Sequence, residues 1–248
     1  MRQFFLLVLI TGSLMSCDTG NSTDQAQQVI DQAIRVHGAQ HFASKFISFD
    51  FRNKHYSLKR EGSNYTYTRS FEDSVGQVSD QLINSSNFTR SINGQAIPLS
   101  QEWQTRYGNS VNSVLYFVEI LYRLNDAAVF KSYLGTTTIK GEEYHIVKVT
   151  FRQEGGGDDF QDEYRYWIHS EKYTLDYLAY NYETDGGGAR FREAYDREKT
   201  GGIVFQNYVN YKPIPDTKDT PLDNLPGLFE AGKLKELSKI VNENIEVR

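Results

Sequence analysis

The chain has 248 residues, with 27 Lys+Arg against 32 Asp+Glu and a formal net charge of −5. It has no run of clustered basic side chains, which speaks against binding nucleic acid or adhering to anionic lipid by charge. Aromatic residues make up 14% of the chain, with 17 Tyr and 15 Phe, a bias toward strands, and its single cysteine excludes an intramolecular disulfide.

In chain order, Arg2 supplies a positive start, Phe4 to Ile10 form an unbroken apolar core, and Gly12 and Ser13 loosen the chain beyond it. This is the pattern of a secretory signal. The apolar stretch is shorter than the roughly 20 residues that span a bilayer. Leu14-Met15-Ser16-Cys17 has the form of a lipobox, in which an aliphatic and a small residue precede a cysteine whose thiol takes a diacylglyceryl group. Two or three acyl chains make a stable membrane anchor, where one gives only marginal binding. The expected organisation is a signal peptide over 1–16, a lipidated cysteine and polar tether over 17–24, and a single domain over 25–248. The expected place is the cell envelope, on the outer membrane facing the periplasm.

Ala26, Val29, Ile30, Ala33 and Ile34 recur at helical spacing and Gly38 can cap them, which predicts a helix over 24–37. Residues 46–52 then alternate, with Ile47, Phe49 and Phe51 on one face, as in a half-buried strand. The pattern continues over 56–59, 65–71, 77–83 and 88–92, a five-stranded meander. Over 111–124 the spacing turns helical but is apolar nearly all round, which demands burial nearly all round. Strands resume over 136–140, 144–151, 160–169, 174–183, 189–198 and 203–211, separated by glycine clusters suited to hairpins. Four of the five prolines, Pro213, Pro215, Pro221 and Pro226, mark a surface loop. Leu234, Leu237, Ile240 and Val241 predict a closing amphipathic helix over 229–244.

The segments Tyr164-Arg165-Tyr166-Trp167-Ile168 and Gly201-Gly202-Ile203-Val204-Phe205, with His37-Gly38 ending the first helix, carry a resemblance. With this element order the chain resembles the LolA/LolB-like lipoprotein-carrier superfamily, and is similar to uncharacterised lipoproteins of Bacteroidota-type bacteria. The resemblance implies an unclosed barrel with an apolar cavity for acyl chains. The expected fold is mainly β with helices, an antiparallel half-open barrel of about eleven strands. An N-terminal helix, a central buried helix and a C-terminal helix would cover or plug it.

Candidate chemistry is sparse. His37 and His41 stand four apart, but Gly38 ends the helix between them, so a cap is favoured over a metal. Asp158, Asp159, Asp162 and Glu163 lack the ligand spacing of a calcium loop. The glycine clusters are not followed by the Lys-Ser/Thr of a phosphate loop, and no serine occupies a Gly-x-Ser-x-Gly elbow. The expectation is therefore no catalysis and no cofactor. It is instead a monomer, anchored through acylated Cys17, that binds a lipid or other hydrophobic ligand. The expected cavity residues are Ile47, Phe49, Phe51, Tyr65, Tyr67, Leu115, Val118, Tyr122, Tyr166, Phe205 and Val209. The alternative is a filled core, with the protein contacting a glycan or another protein through exposed aromatic side chains.

Overall fold

A computed structural model describes residues 19–61, 64–154, 160–183 and 186–248. Helix α1 (Thr19–His37) and a 3-10 turn (Ala39–Ala43) lead into a meander of β1 (Ile47–Phe51), β2 (Lys54–Glu61), β3 (Asn64–Asp73), β4 (Gly76–Ile83), β5 (Asn87–Ile92) and β6 (Gln95–Ile97). Helices α2 (Gln101–Val118) and α3 (Ile120–Arg123) follow. Then come β7 (Val129–Ile139), β8 (Glu142–Phe151), β9 (Tyr164–His169), β10 (Leu175–Tyr182), β11 (Gly188–Thr200) and β12 (Ile203–Lys212). The chain ends on α4 (Leu225–Glu230), β13 (Lys235–Ile240) and β14 (Asn242–Val247).

The strands form two seven-stranded antiparallel sheets, ordered β14-β1-β2-β3-β4-β5-β6 and β13-β12-β11-β10-β9-β8-β7. Only Val241 separates β13 from β14, so one continuous extended segment edges both sheets and joins them along one side. On the other side β6 and β7 do not pair. The architecture is the half-open antiparallel barrel expected from the sequence. Helix α2 packs on the first sheet against β2 to β5, while α1 lies along β7 and touches α3.

Strand pleating sorts the side chains. Tyr56 and Leu58 on β2, Tyr65 and Tyr67 on β3, and Val78 and Leu82 on β4 alternate into the shared core. All six residues of β9 are buried, because both of its faces are covered. Tyr164, Tyr166 and Ile168 enter the main core. Trp167 joins a second cluster with Tyr177, Phe191, Leu222 and Leu225 beneath the segment that carries α4.

Four expectations are corrected. The closing helix expected over 229–244 is instead the end of α4 followed by two strands, β13 and β14. The apolar residues that suggested a helix sit in a chain whose backbone groups complete the otherwise unpaired edges of β12 and β1, and Gly232 turns it there at φ 65°. With β6, this raises the strand count from about eleven to fourteen among the described residues. The tether expected up to residue 24 is helical from Thr19, and Ser22 exchanges hydrogen bonds with the Tyr133 backbone, its Oγ donating to the carbonyl at 3.0 Å and accepting from the N–H at 3.1 Å. The buried helix over 111–124 begins earlier, at Gln101, and breaks at Glu119, whose φ of −100° and ψ of 20° separate α2 from α3. Cys17 and the signal segment, together with Asp158 and Asp159, lie outside the described residues.

Two motifs meet in space. Gly38, at φ 64°, lies against the β11–β12 turn so closely that a Cβ there would stand 2.0 Å from the Gly202 carbonyl oxygen. Beside it, His37 Nε2 accepts the Leu175 backbone N–H at 3.1 Å.

Candidate functional site

Between the inner faces of the sheets and under α2 lies a cavity of about 590 Å³. Phe42, Val114, Phe117, Val118, Leu121 and Phe205 form much of its apolar wall. Its wall also takes in the exposed Arg52 and Asn53 of the β1–β2 turn and the exposed Ser110 and Ser113 of α2, which mark the opening. A volume of this size lies within the roughly 300–1,000 Å³ usual for ligand pockets, well above the roughly 150 Å³ of an engineered apolar void.

Charged side chains enter the wall at inward strand positions. Arg69 on β3 donates from Nε and Nη2 to Asp80 Oδ2 at 2.9 and 2.6 Å and from Nη1 to Ser110 Oγ at 2.9 Å. Asp80, fully buried on β4, also accepts from Arg90 at 2.6 and 3.0 Å, so one carboxylate balances two guanidinium groups. Glu119, at the break between α2 and α3, accepts two hydrogen bonds from Arg60 Nη2 at 2.6 and 2.5 Å and one from the Tyr67 hydroxyl. Burial pushes its carboxyl above the usual carboxylate range, while Arg60, Tyr67 and Arg123 pull it back. On the opposite sheet Arg192 of β11 lies with its guanidinium 3.8 Å from the Phe117 ring centroid.

Of the residues expected to line a cavity, Phe51, Val118 and Phe205 stand in its wall. Ile47, Phe49, Leu115 and Tyr166 are packed in the core instead, with Phe49 stacked at 5.7 Å on Tyr56, which does face the cavity. Tyr65, Tyr67 and Tyr122 gather around the Arg60–Glu119 pair: the Arg60 guanidinium lies 4.9 Å from the Tyr65 ring and 4.5 Å from the Tyr122 ring. Val209 is half-buried between Tyr208 and Asn210, both of which face the cavity, so strand alternation turns it to the other side.

Sequence reasoning missed Arg69, Asp80, Arg192 and Asn210. Arg69 and Asp80 carried a usable signal, since they share parity with Tyr65 and Tyr67 on β3 and with Val78 and Leu82 on β4. Glu119 stood out, with Arg123, as a charge interrupting a mostly apolar helix. Among the described residues no three His, Cys, Asp or Glu side chains gather as a metal site, and no helix is long and apolar enough to cross a membrane.

Fold and site together define a half-open antiparallel barrel with a partly apolar cavity roofed by helices. The chain belongs to the Family of unknown function (DUF6503), whose model matches residues 2–242. No curated protein matches the sequence. Its structure is similar to that of a LolA superfamily protein from Nitrosomonas europaea, at 11% identity over 90% of this chain and 93% of that one, with a TM-score of 0.49. A DUF1329 family protein from Desulfovibrio piger has 11% identity over 89% of this chain and 92% of that one, with a TM-score of 0.44. A domain from Vibrio parahaemolyticus described as an outer membrane lipoprotein-sorting protein has 6% identity over 90% and 93%, with a TM-score of 0.43.

Proposed function

We propose that this is an envelope lipoprotein, anchored through acylated Cys17, whose single half-barrel domain carries or receives a hydrophobic ligand such as an acyl chain or lipid and performs no catalysis. On this reading it is a monomer on the outer membrane, facing the periplasm. The observation that carries the proposal is the cavity of about 590 Å³, walled by Phe42, Phe117, Val118, Leu121 and Phe205 and open beside the β1–β2 turn. Each methylene taken into such a wall contributes about 0.8 kcal/mol, so a chain of several carbons binds usefully without any polar contact. The alternative, an interaction protein with a solid interior, leaves a void of this size without a use.

The test is native mass spectrometry of the mature chain carrying Cys17→Ala, incubated with bacterial lipid extract and freed of detergent. Lipid adducts that disappear when Val118→Trp fills the cavity are expected. A chain that stays free of adducts at lipid excess overturns the proposal in favour of the interaction reading.

A further inference from the structure

Arg192 is 7% exposed, and among the described residues no carboxylate lies within ion-pair distance of it. The other buried arginines differ: Arg60 pairs with Glu119, Arg69 with Asp80, and Arg165 with Asp223. Nη2 of Arg192 donates to the Tyr180 hydroxyl at 2.9 Å, but its Nε is buried without a partner. Directly across the ladder on β12 stands Asn210, whose Oδ1 is likewise buried and unpartnered. Both residues and Tyr180 face the cavity. Two orphaned polar groups side by side in one wall, one of them a cation, are costly unless something else completes them.

The remaining charges of the wall point to the missing partner. Arg52, Lys54, Arg69 and Arg192 face the cavity against the single carboxylate of Glu119, which Arg60 already engages. Arg69 shares Asp80 with Arg90, which leaves that cluster with a surplus positive charge. An anion is therefore favoured inside, and a planar guanidinium with a free Nε–H suits the paired oxygens of a carboxylate or phosphate. The Tyr180 hydroxyl accepts from Arg192, so its own hydrogen remains to be donated, and the Asn210 amide turned over presents an N–H₂ to the same oxygens.

We propose that Arg192, with Asn210 and Tyr180, is the head-group site of this cavity, and that the ligand is an anionic amphiphile whose carboxylate or phosphate sits on Arg192 while its chain lies along Phe117, Val118 and Phe205. The inference rests on the reading of the cavity as a lipid site and names the class of lipid.

The experiment is fluorescence titration of the mature Cys17→Ala chain with a dansyl-labelled long-chain fatty acid and with its methyl ester. The acid should bind at least about tenfold more tightly, since a hydrogen bond to a charged group contributes on that scale. Arg192→Leu should remove that preference, weakening the acid and sparing the ester. Asn210→Asp places an internal counter-ion beside Arg192 and should exclude the acid, again sparing the ester; it serves as the deciding variant if Arg192→Leu fails to fold. Competition with lysophosphatidic acid and with unlabelled fatty acid, each of which supports the site by displacing the probe, tells a phosphate head from a carboxylate. Equal binding of acid and ester to the parent chain overturns the head-group site while leaving the apolar cavity in place. Binding of neither overturns the lipid reading itself.

Discussion

His37 makes the stability of this protein depend on pH in a way that can be worked out in advance. It is 3% exposed, and its Nε2 accepts the Leu175 N–H, which requires the neutral ring. Burial first, and then the charge of Arg197, lower its pKa from 6.5 to about 4, against smaller opposing effects of Asp176 and the Val204 backbone. A base whose pKa falls on folding binds fewer protons in the native state than in the unfolded one. Its contribution is therefore fully present above 6.5 and is lost as pH falls from 6.5 toward 4. Between about pH 7.5 and about pH 4.5 the loss comes to about 2–3 kcal/mol. Urea unfolding followed by tryptophan fluorescence at the two pH values measures it. The carboxylates that also titrate in this range are removed by comparison with His37→Gln, whose side-chain carbonyl can accept the same N–H without gaining a proton. The parent chain should lose about 2–3 kcal/mol more than the variant on acidification. Equal losses would refute the idea that a neutral, desolvated His37 holds α1 to β10.

Phe49 is fully buried and stacked on Tyr56, so Phe49→Ala should cost about 3–5 kcal/mol in urea or thermal unfolding, and a cost below about 1 kcal/mol would mean that the site is loose. Gly38→Ala combines a left-handed backbone with a Cβ driven toward the Gly202 carbonyl; a loss of more than about 1–2 kcal/mol is expected, and a neutral result would contradict the close approach of α1 to the β11–β12 turn. Glu119→Ala leaves Arg60 and Arg123 without their buried carboxylate and should cost about 3–5 kcal/mol, whereas Glu119→Leu combined with Arg60→Met should recover most of it. A double variant as unstable as the single one would show that the loss is not electrostatic. Cys17→Ala should move the protein out of the membrane fraction, and unchanged partitioning would sink the lipid anchor.

The fold was legible wherever one physical signal acted alone. Alternation placed Ile47 and Phe49 on the buried face of β1, and helical spacing placed Ala26, Ile30 and Ala33 on the buried face of α1. The segment from Lys235 to Val247 was misread because it is mostly polar, as an edge strand can be. Leu237, Ile240 and Val241 fit three-residue spacing about as well as alternation, Ile245 and Val247 alternate but lie beyond the stretch read as a helix, and the distant partners β12 and β1 decide for strands. The site was harder. Parity tells which side chains point inward, but whether an inward side chain meets another residue or an empty volume depends on how far apart the sheets stand. That is why Phe49 and Phe51, two residues apart with the same parity, end respectively in packed core and cavity wall. Arg192 lay within a predicted strand, but nothing nearby in the sequence shows that its counter-charge is missing.

The strap formed by β13 and β14 bears on the order in which the chain can fold. Ile47 pairs with Val247, so β1 has no neighbour on one side until everything between the two has been synthesised. Contacts so far apart in sequence form slowly, because a long loop must close before they are rewarded. A chain emerging from its N-terminal end would thus complete the β1 to β6 meander early, with one edge bare, and gain the seam only when β13 and β14 arrive. During that interval β1 offers its unpaired backbone groups to any other extended segment in reach. Folding of this protein should be most sensitive to changes in those last strands, though they lie far from Phe117 and the rest of the apolar wall.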